Sequence, residues 1–297
     1  MDTAIFKIAL FGNIYQEKKS VAVKQLLEIA SQNRVEVMMP RQFYDFLKDR
    51  MMIDVSGCKL IESDDFEADV AVCMGGDGTF LDVASRVGKK EIPIAGINTG
   101  RLGFLANFSP DEIATVFQLM KERNYGINEH SVLEITCDEQ HLDGYPCALN
   151  EIAILKHDIS AMISIHTHIN GEYLTTYQAD GLIVGTPTGS TAYSLSVGGP
   201  IVVPHLDTIT LTPVAPHSLN MRPIVISDDS VIDLQVESRS YSFLISLDGR
   251  SHGYQDGIHL HIRKAPYKVK VITHPEHTFL STLREKLMWG VSGMQNS

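Results

Sequence analysis

The stretch that decides the fold runs from Ala68 to Thr79 and reads ADVAVCMGGDGT. It opens with an almost wholly apolar run, 68–74, which is typical of a strand buried on both faces of a parallel sheet. It ends in Gly75-Gly76-Asp77-Gly78-Thr79, and a segment with helical spacing follows over 80–87. The glycine-rich turn therefore lies at the carboxyl end of a strand, where open α/β sheets bind their ligands.

The glycine-rich turn suits phosphate binding. Gly75, Gly76 and Gly78 leave the backbone bare, so amide N–H groups can approach phosphate oxygens, and the N-terminus of the next helix adds favourable partial charge. Asp77 could then hold a metal ion or accept the proton of an attacking hydroxyl. A tight turn in which Asp77 only caps the helix explains the same residues, and short glycine motifs have many false positives.

The same alternation of strand and helix extends over the first 126 residues. It indicates a parallel sheet covered on both faces, so the first domain is predicted to be α/β. The last helix of this region begins at Ser109, with Pro110 at its first position and Glu112 three residues after the cap. Further strands are predicted over 4–10, 35–39 and 92–97, and further helices over 18–32, 41–50 and 109–123.

After Gly126 the pattern changes to segments that alternate apolar and polar residues, which is typical of half-exposed antiparallel strands. The second domain, 127–277, is therefore predicted to be β-rich. A helix over 278–290, with Leu280, Leu283 and Leu287 on one face, completes the first domain, 1–126. The strands of the second domain are predicted over 132–137, 148–155, 163–169, 231–236, 243–247 and 267–272.

The composition limits the partners of the chain. Twenty-five Lys and Arg against 36 Asp and Glu give a net charge of −11, which argues against nucleic acid as a partner. No run approaches the length of a membrane span, and the N-terminus does not have the pattern of a leader. The four cysteines form no CxxC pair, so neither disulfides nor a zinc site is indicated. We predict a cytoplasmic protein without a membrane partner.

A second glycine-containing stretch, GINTGRLGFL over 96–105, also follows a predicted strand. Asn98, Thr99 and Arg101 could face a phosphate from this neighbouring loop of the sheet edge. Glycines that only supply turn dihedral angles, with a solvated Arg101, explain the stretch equally well.

A polar pair, Asn150 and Glu151, interrupts an apolar run. Because side chains alternate along a strand, one of the two is expected to point inward, where it needs a polar partner such as a ligand hydroxyl. A bulge or a turn that exposes both side chains is the simpler explanation for this pair taken alone.

The longest unusual stretch is DGLIVGTPTGSTAYSLSVGGP over 180–200. It consists of a short apolar strand and a hydroxyl-rich loop with no charged residue from Gly181 to Pro200. Small hydroxyl residues and bare amides suit sugar hydroxyls and phosphates, and Tyr193 adds a ring with a polar tip. A solvated surface loop of this length would be expected to carry charge, so a ligand site is favoured here.

Taken in order, GGDGT, GINTGRLGFL, the Asn-Glu pair, DGLIVGTPTGSTAYSLSVGGP and PHSLNMRPIV resemble the NAD kinase family, as does the ending REKLMWG. Each motif alone is weak, but their order over 70–223 is specific. The resemblance implies a Rossmann-like first domain of the GGDGT kinase type and a β-rich, NAD-binding second domain. It also implies transfer of the terminal phosphate of ATP to the 2′-hydroxyl of the adenosine ribose of NAD.

The resemblance also assigns roles to residues. Asp77 would accept the proton, and Mg²⁺ or Mn²⁺ would be required, with no fixed set of protein ligands. The partners would be NAD and ATP, and the chain would form a homodimer or homotetramer. The loop that cradles the donor phosphates would be Gly75, Gly76, Gly78 and Thr79. The NAD contacts would be Asp77, Gly78, Asn150, Glu151, Asp180, Thr191, Ala192, Tyr193, Ser194, Leu195, Ser196 and Arg250, with the segment 156–161 departing from the pattern of the family.

Two rival functions share these features. A lipid or sphingoid-base kinase has the same GGDGT loop, but it needs an apolar tunnel or a membrane-facing surface, whereas the stretch after Asp180 is polar. A non-catalytic NAD sensor would keep the fold without turnover, although the intact Asp77 and Asn150-Glu151 pair argue against it. The sequence leaves open whether polyphosphate replaces ATP, whether NADH is accepted and whether NADPH inhibits.

Overall fold

The computed structural model describes residues 5–13, 20–100, 103–158, 161–273 and 278–288. The chain divides into two compact units, Met1–Glu129 with Val269–Ser297, and His130–Lys268. The first is α/β with parallel strands and the second is built from antiparallel strands, so the predicted fold class is confirmed.

The first unit alternates strands with helices up to residue 122. Its strands are β1 (Lys7–Gly12), β2 (Glu36–Pro40), β3 (Lys59–Ile61), β4 (Val70–Met74) and β5 (Ile94–Ile97). Its helices are α1 (Ser20–Gln32), α2 (Arg41–Asp45, continued by a π-helical turn over Phe46–Arg50), α3 (Asp77–Val87, followed by a 3₁₀ turn over Gly88–Lys90) and α4 (Ile113–Glu122, preceded by a 3₁₀ turn over Pro110–Glu112).

These five strands are parallel and lie in the order β3-β2-β1-β4-β5. β4 and β5 are buried along their whole length, as expected for central strands of a covered parallel sheet. From β1 the chain leads outward to β2 and β3, and it then returns to β4 on the other side of β1. The sheet therefore has a topological switch point between β1 and β4, where such sheets bind ligands.

The helices of the first unit follow the sequence pattern closely. The spacing in α1 predicts one apolar face of Val23, Leu26, Leu27 and Ala30, of which Leu27 is partly buried and the other three are buried. The capping box before α4 is present, with the Ser109 backbone N–H donating to the Glu112 carboxylate at 2.7 Å. The prediction for α3 was wrong at its start, since the helix begins at Asp77 instead of residue 80.

The second unit is formed by strands with two short helical turns between them. The strands are β6 (Gly126–Cys137), β7 (Cys147–Ala148), β8 (Glu151–Lys156), β9 (Ile163–Ile169), β10 (Glu172–Ala179), β11 (Gly181–Gly185), β12 (Thr208–Val214), β13 (Ile224–Ser227), β14 (Ile232–Ser238), β15 (Ser242–Leu247), β16 (Arg250–Gln255) and β17 (His259–Thr273). The turns are a 3₁₀ helix over Thr188–Thr191 and the single turn α5 (Tyr193–Ser196).

One antiparallel sheet of this unit has the order β13-β12-β11-β8-β15-β16, and another row pairs β10, β9, β14 and β17. A continuous apolar core within the unit includes Leu133, Ile152, Val184, Phe243 and Leu260. The sequence pattern missed β10, β12, β13 and β16. β12 is buried through its middle on both faces and β16 is mostly exposed, so neither shows the alternation that marks a half-buried strand.

The chain returns to the first unit within β17. Val271 pairs in parallel with Ile94 of β5, a return that the period-two pattern over 267–272 does not predict. The terminal helix α6 (Phe279–Leu287) begins at a capping box formed by Thr278 and Ser281. Residues 289 and 290 of the predicted helix lie outside the described residues. No helix in the described part of the chain is long and apolar enough to cross a bilayer.

Candidate active site

The GGDGT loop joins β4 to α3, as the sequence predicts. Gly75 is buried, and a Cβ there would overlap the Thr79 side chain, so the tight turn requires glycine at this position. Gly76 has extended backbone angles and precedes the first helical residue, Asp77. Gly78 is exposed, with no atom within 4 Å of the position its Cβ would take. The amide groups of this first turn are therefore accessible beside a helix N-terminus.

The carboxylate of Asp77 is held by four donors in the first unit. Its oxygens accept hydrogen bonds from the backbone N–H groups of Phe104 at 2.9 Å, Leu105 at 3.1 Å and Ala106 at 3.2 Å. The Lys286 ammonium group lies 3.2 Å from Asp77 Oδ2 and 4.6 Å from the centre of the Phe104 ring. Asp77 therefore has a fixed position and a positively charged neighbour.

The stretch 96–105 leads into the cradle for that carboxylate, which is formed by the backbone N–H groups of residues 104–106. Asn98 is buried, and its side-chain oxygen accepts a hydrogen bond from Gly100 N–H at 2.8 Å, which fixes the turn after β5. A Cβ at Gly103 would overlap Asp77 Oδ1. Among the described residues, Thr99 Oγ1 is buried without a hydrogen-bond partner. Arg101 lies outside the described residues. The observed role of this stretch is to donate backbone N–H groups to Asp77, which neither a phosphate contact nor a simple turn had predicted.

A cavity of about 370 Å³ lies beside the GGDGT loop within the first unit. It opens outside the carboxyl ends of β1, β2 and β4, at the switch point of the sheet. Residues that line it include Gly12, Pro40, Phe43, Gly78, Asp82 and Arg86.

In the second unit, Asn150 and Glu151 lie at a bend between β7 and β8, and each is only 8% exposed. The Asp248 carboxylate accepts three consecutive backbone N–H groups, from Leu149 at 2.7 Å, Asn150 at 2.8 Å and Glu151 at 3.1 Å. The alternative of a turn that exposes both side chains is therefore wrong. The bend is instead fixed by the carboxylate of Asp248, a partly buried acid whose own pKa is raised by desolvation.

Glu151 is the most strongly perturbed acid of this bend. Burial raises its pKa to about 7, with a further contribution from the nearby Asp248 carboxylate, while a hydrogen bond from the Tyr193 backbone N–H opposes the shift. Glu151 Oε2 is buried and has no hydrogen-bond partner among the residues that the structure describes. A buried acceptor of this kind is poised for a hydroxyl donor from a ligand.

The hydroxyl-rich stretch is not a solvated loop, since Gly181 to Ser190 are all buried. Most of its hydroxyls have partners within the unit. Thr186 Oγ1 donates to Leu149 O at 2.6 Å, and Ser194 Oγ lies 3.0 Å from Thr212 Oγ1. These side chains fix the turn before α5, and the backbone of Tyr193 is thereby presented to Glu151.

The remaining residues of the predicted NAD site lie around this turn. Tyr193 is 38% exposed, Thr191, Ala192 and Leu195 are half-buried, and Ser196 is exposed and donates to Tyr193 O at 2.7 Å. The side chains of this turn that remain open to a ligand are therefore few, and Tyr193 is the largest.

Asp180 and Arg250, the last two residues of the predicted NAD site, lie outside the turn at 191–196. Asp180 forms an ion pair with Lys156 at 2.7 Å, at the end of β11 opposite to Glu151, so the two acids are separated by about 17 Å along the strands. Arg250 donates to the backbone carbonyl groups of Tyr145, Cys147 and Leu247 at 2.7 to 3.2 Å. It therefore holds the chain just before the Asn150-Glu151 bend, beside Asp248.

Sequence reasoning missed three residues of these sites: Arg86, Asp248 and Lys286. Asp248 lies in Leu247-Asp248-Gly249-Arg250, between two strands. An Asp-Gly pair is an ordinary turn sequence, so it does not indicate that the carboxylate accepts hydrogen bonds from residues far away in the chain. Lys286 and Arg86 lie on amphipathic helices, where a cation is the ordinary residue of a solvated face. No local pattern marks any of the three.

The α/β unit, its GGDGT loop at the switch point and the β-rich second unit together define a phosphotransferase of the GGDGT kinase class. Residues 8–125 match the family model described as the ATP-NAD kinase N-terminal domain, and residues 149–274 match the ATP-NAD kinase C-terminal domain. The chain belongs to the NAD kinase family.

Relatives and solved structures agree with this assignment. The chain is 55% identical over 284 residues to an NAD kinase from Bacteroides fragilis, with 96% of this chain and 98% of the relative covered. It is 42% identical over 288 residues to an NAD kinase from Flavobacterium psychrophilum, with 96% and 98% covered. An NAD kinase from Archaeoglobus fulgidus in complex with ATP superposes with a TM-score of 0.74 at 26% identity, covering 95% of this chain and 99% of that one.

A structure of yeast NADH kinase complexed with NADH has a TM-score of 0.90 at 23% identity, covering 100% of this chain and 91% of that one, which shows the shared fold. The resemblance to the NAD kinase family that the motifs indicated is confirmed. The protein is a kinase that transfers the terminal phosphate of ATP to the 2′-hydroxyl of the adenosine ribose of NAD, giving NADP and ADP. The lipid-kinase alternative is thereby wrong.

Proposed function

We propose that Asp77 is the catalytic residue of this NAD kinase and accepts the proton of the ribose 2′-hydroxyl. The observation that supports it is the fixed carboxylate at the first residue of α3, beside amide groups that suit a phosphate. Positioning and electrostatic stabilisation dominate phosphoryl transfer, and this arrangement supplies both. A coupled assay that measures the formation of NADP from NAD and ATP tests the activity. With diacylglycerol in place of NAD, the release of ADP from ATP should stay at background.

The donor nucleotide is proposed to occupy the cavity beside the GGDGT loop. Gly75, Gly76, Gly78 and Thr79 would cradle its phosphates, with Gly78 leaving the most open backbone. The apolar wall of the cavity near Pro40 and Phe43 suits the planar base of the nucleotide, and the end of the cavity at the GGDGT loop suits its charged phosphate chain. Replacing ATP by inorganic polyphosphate in the assay decides whether the base is needed.

A divalent cation, Mg²⁺ or Mn²⁺, is proposed to enter with the donor. No group of three or more His, Cys, Asp and Glu side chains within the described ranges is arranged to hold a metal ion. Mg²⁺ is commonly bound by one or two carboxylates together with substrate phosphates, and the Asp82 carboxylate at the cavity would fit that pattern. The cation, when bound, would neutralise charge on the phosphates.

NAD is proposed to bind the second unit at the Asn150-Glu151 bend, with its ribose hydroxyls donating to Glu151. The unpaired, buried Oε2 of Glu151 supports this, and Tyr193 at the start of α5 offers a ring beside it. The other proposed contacts are Asp77, Gly78, Asn150, Asp180, Thr191, Ala192, Ser194, Leu195, Ser196 and Arg250. Because Asp180 is about 17 Å from Glu151 along the strands, it would reach only a remote part of an extended dinucleotide.

The affinity for NAD is expected to rise with pH around neutrality. The ionised carboxylate accepts a hydroxyl hydrogen bond more strongly than the neutral acid, and Glu151 has a pKa of about 7. Raising the pH from about 6 to about 8 should therefore lower the KM for NAD by up to about tenfold, because Glu151 passes from mostly protonated to mostly ionised. Initial rates measured against NAD concentration over this range give the profile.

The variant Glu151→Gln cannot ionise, so its KM for NAD should be higher and should not change over the same range. Below pH 7, NAD binding to the wild-type enzyme should release a proton, whereas binding to the variant should not. Identical profiles for the two proteins would assign the pH dependence to another group.

Gly103 provides a test of the Asp77 cradle. In Gly103→Ala the new Cβ overlaps Asp77 Oδ1, so the carboxylate must move away from its three amide donors. A displacement on the order of 1 Å in a catalytic group can cost about 10² in rate, and we expect a loss of kcat of this size. The matched control is Gly100→Ala, whose Cβ makes only an ordinary contact, 3.7 Å from Asn98. A kcat for Gly103→Ala equal to those of Gly100→Ala and the wild type would show that the position of the Asp77 carboxylate does not limit the rate.

The assembly and the location are proposals as well. A homodimer or homotetramer follows from the family resemblance, and light scattering after size-exclusion chromatography measures the number of subunits. The cytoplasmic location and the absence of nucleic acid among the partners stay predictions from the composition, with its net charge of −11.

A further inference from the structure

The cavity beside the GGDGT loop is lined by one positively charged side chain, among the described residues, to which no role in the reaction has been assigned so far. Of the described residues that line it, Arg86 alone is basic. It lies on the last turns of α3, on the helix that begins at Asp77. A guanidinium group in a cavity proposed for a triphosphate is the side chain best suited to bind phosphate oxygens, because its fork of N–H donors matches their geometry.

Two contacts fix the direction of the Arg86 side chain. Its Nε lies 2.7 Å from Asp64 Oδ1, and its guanidinium carbon lies 5.2 Å from the centre of the Phe11 ring at the end of β1. The contact with Asp64 uses Nε and so does not use the two terminal nitrogens. The Arg86 side chain is 23% exposed and that of Asp64 is 61% exposed, so water screens the ion pair and weakens it.

A purely structural role for Arg86 is partly duplicated by a second cation. Lys90, one turn further along, donates to the backbone carbonyl of Asp64 at 2.5 Å and lies over the Phe66 ring at 4.6 Å. The segment around residues 64–66 is therefore held to this end of α3 by Lys90 as well. Lys90 is not among the residues that line the cavity.

We propose that Arg86 binds the phosphate chain of the donor nucleotide and thereby sets the preference of the enzyme for a triphosphate donor. The inference rests on the proposed donor site. In the free enzyme Asp64 pairs with the guanidinium and competes with the donor phosphates for it, while the Phe11 ring supports its planar face. Asp82, the acid on the same stretch of α3, lies in the cavity where a phosphate-bound cation would offset its charge.

The test compares three variants in binding and in turnover. Arg86→Gln should weaken the binding of Mg–ATP by about 10- to 100-fold in calorimetric titrations without NAD, because it removes a charge-assisted contact. It should raise the KM for ATP by a similar factor and leave the KM for NAD within about twofold. Adenosine, which has no phosphate, should inhibit the wild type and the variant equally. The ratio of the affinity for ATP to the affinity for adenosine should therefore fall in Arg86→Gln.

Asp64→Asn separates binding from structure, since it breaks the same ion pair but leaves the guanidinium in the cavity. We expect its affinity for ATP to equal or exceed that of the wild type. Lys90→Gln, which loosens the same segment, should also bind ATP normally. If Asp64→Asn weakened ATP binding as much as Arg86→Gln, the role of Arg86 would be to anchor residue 64, and the inference would be wrong.

Unchanged ATP binding in Arg86→Gln would equally overturn the inference. The proposed function is judged separately, because wild-type protein in the same assays must still convert NAD to NADP. Active wild type with an unaffected Arg86→Gln variant would reject the role of Arg86 alone.

Discussion

Replacement of Asp77 by asparagine is expected to lower kcat by about 10² to 10⁴, the range typical of the loss of a general base. Asparagine has nearly the same shape and keeps one oxygen that can accept from the amide groups of the cradle at 104–106. It cannot take up the hydroxyl proton, and it loses the charge interaction with Lys286. Steady-state formation of NADP, at saturating NAD and ATP, measures the loss.

The control for Asp77→Asn is its binding behaviour. Because the proposed ribose contacts at Asn150 and Glu151 are unchanged, the variant should bind NAD with an affinity close to that of the wild type. Its circular dichroism spectrum should also be unchanged. A variant that folds, binds NAD and turns over at a near-normal rate would remove Asp77 from the mechanism.

Replacement of Asp248 by alanine is expected to have the second large effect, on stability and on NAD binding together. The change leaves three buried N–H groups at 149–151 without their acceptor. Each unsatisfied group costs about 1 to 3 kcal/mol, partly offset by relief of the repulsion with Glu151, so we expect a loss of about 2 to 5 kcal/mol. Urea unfolding followed by circular dichroism measures the free energy of unfolding.

The same variant should raise the KM for NAD by at least about tenfold, because the bend that carries Asn150 and Glu151 loses its support. Asp256→Ala is the matched control, since Asp256 accepts a single N–H group, from Ser238 at 3.2 Å. It should lose about 1 kcal/mol and keep its KM for NAD. Equal KM values for Asp248→Ala and the wild type would show that Asp248 does not position the NAD site.

Much of the first unit could be predicted from the sequence because its elements have strong local signals. The apolar run before Gly75 is typical of a buried strand, the glycines favour a turn, and the box at Ser109 and Glu112 marks a helix start. The start of α3 was predicted late because Asp77 and Gly78 are poor helix formers within a helix, although an acid in the first turn is favourable. β3 was missed because it has only three residues.

The residues that surround the key side chains of the candidate sites were less predictable from the sequence than the positions of the sites themselves. The motifs identify Asp77 and Glu151, but their surroundings depend on contacts between residues far apart in the chain. Lys286 reaches Asp77 across 209 positions, and Asp248 reaches Glu151 across 97. The pKa of Glu151 also depends on burial and on Asp248, which no local pattern encodes. Period-two alternation likewise fails for β12, whose burial on both faces removes the pattern.

The most direct measurement is a crystal structure of Asp77→Asn with NAD and Mg–ATP bound, in which slow turnover preserves both substrates. We expect the 2′-hydroxyl of the adenosine ribose within about 2.6 to 3.2 Å of the residue 77 side chain, the reach required of a proton acceptor. The terminal phosphate of ATP should lie at the GGDGT loop. A 2′-hydroxyl directed away from residue 77, or a triphosphate outside the cavity, would contradict the proposed active site.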